Sequence, residues 1–209
     1  GDVCAVMIEL VQGEGGVIAL DKHYVKKLSE ICKQNDVLLI IDEVQTGAGR
    51  TGKFLAAEHY GVKADITTLA KGLGGGLPIG AALVAKNCSD TLGFGMHGTT
   101  FGGNPIVCAG ANYVMARMDE DFLYEAEQKG EYLQEKLSQL DGIEEVSGLG
   151  LMIGFKVKDM SSSDFVKEGI KRGLIMLTAK SKVRLLPPLT ITYDEIDKAL
   201  AIISSMLAK

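Results

Sequence analysis

An acid and a lysine each follow an apolar segment of this chain, and together they suggest chemistry between an amine and a carbonyl group. Asp42 comes directly after the run Val37–Ile41, and Lys71 comes directly after Ile66–Ala70. A lysine amine that loses its proton can form a Schiff base with a carbonyl compound. A pyridoxal cofactor needs such a lysine, and it also needs an acid beside its ring nitrogen so that the ring can accept electrons. Taken singly, each residue is far more often an ordinary polar residue at a strand end than a catalytic one.

The two apolar segments are predicted to be neighbouring strands of an open sheet. Val37–Ile41 is too short for a helix and rich in strand-forming residues, which is typical of a parallel strand buried on both faces. A helix predicted over His23–Gln34, with Asp21 as its N-cap, would connect it to an earlier strand over Val3–Leu10 as a right-handed βαβ unit. Because ligands bind beyond the carboxyl ends of such strands, the acid and the lysine are both expected there.

Two glycine-rich segments lie near the lysine or after it. Gly72–Gly76 follows Lys71 instead of preceding it, which disfavours a kinase-like or Walker-type phosphate site. Phe54–Tyr60 is predicted to be a short helix and Ile79–Ala85 a further strand. Glycine beside the lysine would let a bulky cofactor ring approach the backbone closely.

The second glycine-rich segment, Gly93–Gly103, is predicted to be a loop before a helix. That helix begins after Asn104, a favourable N-cap, with Pro105 at its first position. The amino end of a helix attracts anions through its free N–H groups and its dipole. Thr99 and Thr100 stand just before it, either as anion ligands or as two ordinary loop hydroxyls.

The chain changes character past Asp119, so we predict one domain over residues 1–118 and a small α+β domain over residues 119–209. The second domain is predicted to contain helices over Phe122–Leu140 and Asp164–Arg172, a capping box that opens a last helix at Thr192, and strands over Ile143–Val146, Leu151–Val157, Leu174–Thr178 and Val183–Leu186. Arg184 lies among apolar neighbours in the last strand. Since burial of an unpaired charge is costly, the ordinary interpretation is an outward-pointing residue of an edge strand.

Composition excludes several classes of function. The formal net charge of −5 over 209 residues gives no basic surface for nucleic acid. No apolar run approaches the length of a membrane helix. The four cysteines include no C-x-x-C pair and share no metal-like spacing with the three histidines, so we expect free thiols in a reducing cytosol and no metal site.

Four motifs resemble one family. They are Ile41–Gly47, Gly49–Gly52, Ala70–Pro78 and His97–Pro105, and they occur in the order found in the class III pyridoxal-phosphate-dependent aminotransferases. Within that family the chain resembles the acetylornithine aminotransferases, from about Val3 to Lys209. This resemblance implies the carboxyl-terminal part of an α/β, mainly parallel large domain, followed by a small α+β domain.

The resemblance also implies roles for individual residues. Lys71 would hold pyridoxal 5′-phosphate and act as the base, and Asp42 would keep the pyridine nitrogen protonated. Val44 would pack on the cofactor ring, and Gln45 would donate its amide to the ring oxygen. Thr100 would bind the cofactor phosphate of a neighbouring subunit, and Thr99 would lie near the substrate. Arg184 would bind a substrate carboxylate. Glu14, otherwise a solvated loop acid, would act as a gate that pairs with Arg184 and moves aside for glutamate.

The expected reaction is transamination between the ω-amino group of N-acetylornithine and 2-oxoglutarate in a cytoplasmic homodimer of arginine biosynthesis. Ornithine, 4-aminobutyrate and succinylornithine remain alternative donors, because the residues above are common to enzymes that use them. The resemblance provides no counterpart here for the family's amino-terminal half, which cups the cofactor phosphate and stacks on the ring. We therefore expect this chain alone to be inactive and to bind cofactor weakly, and a piece that only packs or dimerises is the remaining alternative.

Overall fold

The computed structural model describes residues 2–208, which form two compact units. The first unit contains the chain up to Leu10, then Leu20–Gly49 and Lys53–Phe122. The second contains Val11–Ala19, Arg50–Gly52 and the chain from Leu123 onward. Two short segments of the first half of the chain therefore belong to the second unit.

The first unit is built on a four-stranded sheet. Its elements are β1 (Ala5–Ile8), α1 (Lys22–Gln34), β4 (Leu38–Asp42), α2 (Ala57–Tyr60), β5 (Ile66–Leu69), β6 (Ala81–Val84) and α3 (Pro105–Arg117). The strand order is β1-β4-β5-β6, in which the first two pairings are parallel and the last is antiparallel. Helix α1 makes the crossover that the parallel neighbours β1 and β4 require. The expected mainly parallel sheet is confirmed.

The helix starts predicted from sequence are confirmed by their caps. Asp21 accepts a hydrogen bond from the backbone N–H of Tyr24 at 2.8 Å, and Asn104 accepts one from that of Val107 at 3.2 Å. Each cap satisfies a backbone donor that the first turn of its helix leaves without an intrahelical partner. Asn104 thereby fixes the start of α3 directly after the glycine-rich loop.

The second unit is an antiparallel sheet with helices. Its elements are β2 (Val11–Gln12), β3 (Ile18–Ala19), α4 (Glu120–Ser138), which begins at the boundary with the first unit, β7 (Ile143–Leu149), β8 (Met152–Val157), α5 (Ser162–Lys171), β9 (Leu177–Ala179), β10 (Lys182–Leu185) and α6 (Tyr193–Leu207). The larger sheet has the order β7-β8-β10-β9, and β2 and β3 form a separate hairpin. The capping box that opens α6 at Thr192 is present, with reciprocal hydrogen bonds to Glu195.

The two faces of the larger sheet have different partners, as alternating side chains require. On one face, Ile153, Phe155 and Val183 pack with apolar residues of α4, α5 and α6 in the main hydrophobic core of this unit. On the other face, Met152 and Ala179 pack with Val11 and Val17 of the β2–β3 segment. This arrangement confirms the predicted α+β character.

Several predicted elements were wrong in their bounds; the strand expected over Ile143–Val146, for example, extends to Leu149. The helix expected over Phe54–Tyr60 is only the four-residue α2, because a buried carboxylate from outside the segment fixes its start (described below). The strand expected from Leu174 begins at Leu177 instead. Gly173 has a left-handed φ of 80°, and the N–H of Leu174 donates a hydrogen bond to the carbonyl of Gly169 in α5. Leu174 is therefore still part of the C-terminal cap of α5, and the strand can begin only after it.

Residues 2–208 contain no helix that is both long enough and apolar enough to cross a bilayer.

Candidate active site

Asp42 is the last residue of β4, and its carboxylate has a fixed orientation. Its Oδ1 accepts a hydrogen bond from the backbone N–H of Val44 at 2.9 Å and another from the hydroxyl of Thr68 at 3.0 Å. Thr68 lies beside Asp42 because the parallel register of β4 and β5 pairs the two positions. Within the described residues both donors use the same oxygen, so the half-buried carboxylate can present Oδ2 to a ligand.

Lys71 lies just after β5, at the same edge of the sheet as Asp42. It follows Thr68, the strand partner of Asp42, by three residues, so its Cα lies at most about 11 Å from that of the threonine. Its φ is +46°, in the left-handed region that residues other than glycine seldom adopt. Such strained positions are concentrated at functional sites, because the surrounding structure must hold them in place.

The turn that begins at Lys71 packs tightly against β5 and α3. Lys71–Gly74 form a 3-10 turn in which Leu73 is buried with Leu69 and with Ala111 of α3. A methyl group on Gly75 would come within 2.7 Å of Val114 on the same helix. The backbone of the lysine is therefore fixed by its neighbours, while its side chain remains exposed.

Glu43, next to Asp42, is a structural acid that sequence reasoning missed. It is 1% exposed, and its two carboxylate oxygens accept hydrogen bonds from the backbone N–H groups of Ala56 and Ala57 at 3.0 and 2.9 Å. The hydroxyl of Thr46 also donates to it. Glu43 thus caps α2 and fixes the turn that follows Asp42. A pair of adjacent acids after a strand was the signal that could have indicated two separate roles.

We expect Glu43→Ala to lower the free energy of unfolding by about 3 kcal/mol, because two buried N–H groups lose their acceptor. Urea unfolding followed by circular dichroism measures the change. Glu58→Ala is a matched control, since the Glu58 carboxylate also accepts from a backbone N–H, that of Leu55 at 2.9 Å, but at an exposed position. Equal losses in the two variants would contradict the structural role of Glu43.

The other predicted cofactor and substrate residues of the first unit lie in two places. Val44 and Gln45 are half-buried in the turn directly after Asp42. Thr99 and Thr100 are exposed on the loop before α3, where the hydroxyl of Thr99 accepts a hydrogen bond from the N–H of Gly102 at 3.2 Å. The structure therefore brings Val44 and Gln45 to the edge where Asp42 lies, and it joins neither threonine to Asp42 or Lys71 by a hydrogen bond among residues 2–208.

In the second unit, Arg184 and Glu14 form an ion pair. Nη1 of Arg184 lies 2.7 Å from Oε1 of Glu14. The arginine side chain is 8% exposed and that of the glutamate 74%. The interpretation of Arg184 as an outward-pointing edge residue was wrong, because β10 lies between β8 and β9 in the sheet. A buried arginine with a nearly exposed acidic partner is suited to exchange that partner for another carboxylate.

Arg50 is a half-buried arginine, and the sequence analysis named it only as part of the Gly49–Gly52 motif. Its Nη1 donates hydrogen bonds to the carbonyl oxygens of Leu151, at 3.1 Å, and Pro187. Burial lowers the pKa of Arg50 to about 10, which leaves the group protonated at neutral pH. Because Pro187 closely follows β10, Arg50 helps to fix the end of the strand that contains Arg184. A charged residue within a run of glycines was the available signal.

The comparison with known families decides which enzymes these residues belong with. The family model described as "Aminotransferase class-III" matches residues 1–207. The chain belongs to the class III aminotransferases. Their cofactor is pyridoxal phosphate, which agrees with the acid that ends β4 and the lysine that follows β5.

Individual class III aminotransferases match the whole of this chain. The acetylornithine aminotransferase of Haemophilus ducreyi is 46% identical over 209 residues, which are 100% of this chain and 53% of that protein. The chain spans about half the length of the curated relatives it matches, and it aligns with their carboxyl-terminal part.

Solved structures of this family have the same fold. The N-acetylornithine aminotransferase of Stenotrophomonas maltophilia matches with a TM-score of 0.90 and 32% identity over 99% of this chain and 57% of that chain. The ornithine aminotransferase of Toxoplasma gondii matches with a TM-score of 0.89 and 36% identity over 97% of this chain and 50% of that chain, and it is described with partial occupancy of PLP at its active site.

Proposed function

We propose that this chain is the carboxyl-terminal part of an enzyme that transfers the ω-amino group of N-acetylornithine to 2-oxoglutarate, as a step of arginine biosynthesis. The observation that supports this function most is the position of Asp42 and Lys71 at the carboxyl ends of two neighbouring parallel strands. The residues present fit pyridoxal phosphate. A carboxylate of fixed orientation suits a protonated ring nitrogen, and an exposed lysine on a rigid backbone suits covalent attachment.

When bound, pyridoxal phosphate withdraws electrons from the carbon that bears the reacting amine, which makes the hydrogen on that carbon acidic. Lys71 Nζ would act as the general base that takes this proton from the substrate carbon and delivers it to the C4′ carbon of the cofactor. The charge of Asp42 favours a proton on the ring nitrogen, since an anion nearby stabilises the cation. In this proposal Val44 packs against the ring, and Gln45 donates its amide to the ring oxygen.

We propose that Arg184 binds the α-carboxylate of glutamate or 2-oxoglutarate. The planar guanidinium matches a carboxylate through two parallel hydrogen bonds. The ω-amino donor reacts from its other end, so Arg184 then needs a different anion. Glu14 provides it at 2.7 Å, and its exposure leaves it room to move aside when a dicarboxylate binds. The pair would thus let one enzyme accept two differently shaped substrates.

We further propose a homodimer with a shared site. Six large hydrophobic side chains are exposed between residues 92 and 113: Leu92, Phe94, Met96, Phe101, Ile106 and Tyr113. Such a concentration of exposed apolar surface is typical of a protein interface. The same segment contains Thr99 and Thr100, which fits a role for Thr100 at the cofactor phosphate of a second copy and for Thr99 near the substrate.

The complete polypeptide, loaded with cofactor, is expected to use N-acetylornithine with 2-oxoglutarate more efficiently than ornithine, 4-aminobutyrate or succinylornithine. Glu14→Ala should lower kcat/KM for the ω-amino donor about tenfold or more, because Arg184 loses the carboxylate that replaces a substrate anion. The glutamate half-reaction should be retained. Stopped-flow absorbance of the cofactor measures each half-reaction separately.

Glu144→Ala is the matched control, since Glu144 pairs with Lys156 at 3.0 Å on the same sheet and neither residue belongs to the Glu14–Arg184 pair. It should leave both half-reactions unchanged. A Glu14→Ala enzyme that slows equally with both substrates would contradict the gate, and a preference for another donor would replace N-acetylornithine in the proposal.

The four free cysteines fit the reducing cytosol, where we propose that the enzyme works.

A further inference from the structure

Three residues form a row across the sheet of the second unit. Ser147 of β7 is opposite Gly154 of β8, and Gly154 is opposite Arg184 of β10. Residues directly opposite one another in antiparallel strands place their side chains on the same face. Gly154 therefore leaves a gap on this face between a serine and the arginine that pairs with Glu14.

The turn that contains Glu14 occupies this gap. A Cβ atom on Gly154 would lie 2.7 Å from Cβ of Val17 and 3.3 Å from the carbonyl oxygen of Gly16. Val17 is completely buried, and its φ is +53°. A β-branched residue in the left-handed region is strained, so contacts with the rest of the structure must hold it there. Gly154 provides the surface on which Val17 rests.

Ser147 holds the same turn through a hydrogen bond whose direction is determined by its neighbours. The ammonium group of Lys182 donates to Oγ of Ser147 at 2.9 Å. An ammonium group has no acceptor, so the single hydroxyl proton of Ser147 remains for a carbonyl oxygen. The carbonyl of Val17 is the nearer acceptor, at 2.8 Å, and that of Gly154 lies at 3.5 Å. The Val17 end of the turn is thus attached to Ser147, and Glu14 is attached to Arg184.

We propose that Gly154 and Ser147 are positioning residues that hold the Gly13–Val17 turn against the sheet. They thereby favour the closed state of the gate, in which Glu14 is paired with Arg184. This inference rests on the proposed function of that pair. A seated turn keeps Glu14 against Arg184 and favours the ω-amino donor. When the turn is displaced, Arg184 is available to bind the carboxylate of a substrate, which favours dicarboxylates. The two residues therefore set the balance between the two substrate classes without touching either substrate.

The test compares the two half-reactions in the complete, cofactor-loaded enzyme. Ser147→Ala should lower the ratio of kcat/KM for N-acetylornithine to kcat/KM for glutamate about fivefold, the effect of one lost hydrogen bond. Gly154→Ala should lower it about tenfold or more, since the new methyl group overlaps Val17. Glutarate, a dicarboxylate that cannot react, should bind both variants more tightly than the unmodified enzyme by calorimetry.

A second substitution tests the contact itself. Val17→Gly removes the side chain that the new methyl group meets, so Gly154→Ala combined with Val17→Gly should recover part of the lost ratio. Ser162→Ala is the matched control, because Ser162 holds the carbonyl of Lys180 in another tight turn at 2.9 Å. It should leave the ratio unchanged.

Glu14→Ala separates this inference from the proposed function. A ratio that changes in Glu14→Ala but in neither Ser147→Ala nor Gly154→Ala overturns the inference and leaves the gate in place. A ratio unchanged in all three variants overturns both. Should Gly154→Ala fail to fold, Ser147→Ala together with glutarate binding decides the matter.

Discussion

Lys71→Ala is expected to abolish transamination, with a loss of at least about a thousandfold in turnover. General base catalysis alone contributes ~10²–10⁴ in rate, and no other lysine directly follows β4 or β5 in the sequence of residues 2–208. Borohydride should attach the cofactor permanently to the unmodified enzyme and not to the variant. Mass spectrometry after reduction measures this attachment independently of turnover.

Lys86→Ala is the matched control for this experiment. Lys86 also closely follows a strand, β6, but that strand runs antiparallel to β5, so the lysine lies at the opposite edge of the sheet. Its variant should retain both turnover and cofactor attachment. Near-normal turnover in Lys71→Ala, or attachment that survives the substitution, would remove Lys71 from the role proposed for it.

Asp42→Asn is expected to lower turnover about a hundredfold or more while the fold and the bound cofactor remain. An asparagine oxygen can still accept the hydrogen bonds from Val44 and Thr68, so the side chain keeps its place. The substitution removes only the negative charge, and loss of one preorganised electrostatic group at a reacting centre costs ~10²–10³ in rate. Turnover, cofactor content and the thermal midpoint are measured on the same preparation.

Asp65→Asn is the matched control for the charge change. The Asp65 carboxylate also holds a backbone N–H, that of Leu39 at 2.8 Å, but it precedes β5 and lies at the other end of the strands. Its amide variant should lose stability at most and retain turnover per folded enzyme. If Asp42→Asn and Asp65→Asn behave alike, the charge of Asp42 has no part in the chemistry.

Interactions between residues close in sequence could be predicted from the sequence. The caps at Asp21, Asn104 and Thr192 each depend on a side chain and a backbone group three positions apart. The strand ending at Asp42 was recognisable because burial on both faces demands a continuous apolar run. That run and the crossover helix together predicted a parallel pairing, which placed the acid and the lysine at one edge.

Interactions between distant segments could not be predicted in this way. Glu43 and Asp42 are adjacent acids, yet only the fold assigns one to the start of α2 and the other to the sheet edge. The sequence analysis placed Arg184 on an edge strand, whereas β10 is an inner strand of its sheet. Strand order depends on pairing between distant segments, which the sequence pattern does not show. The contact of Arg184 with Glu14 joins residues 170 positions apart, and periodicity contains no information on such a pair.

By itself, then, the sequence determined the longer helices and most of the longer strands, because these depend on local side-chain spacing. It also determined which two residues lie at the ends of the neighbouring strands β4 and β5. The tertiary structure decided which charged groups are buried and which residues they pair with. It attached the segment 11–19 to the second unit, laid Val17 on Gly154 and brought Glu14 to Arg184. Burial and ion pairing depend on distances between segments, and those distances exist only once the chain has folded.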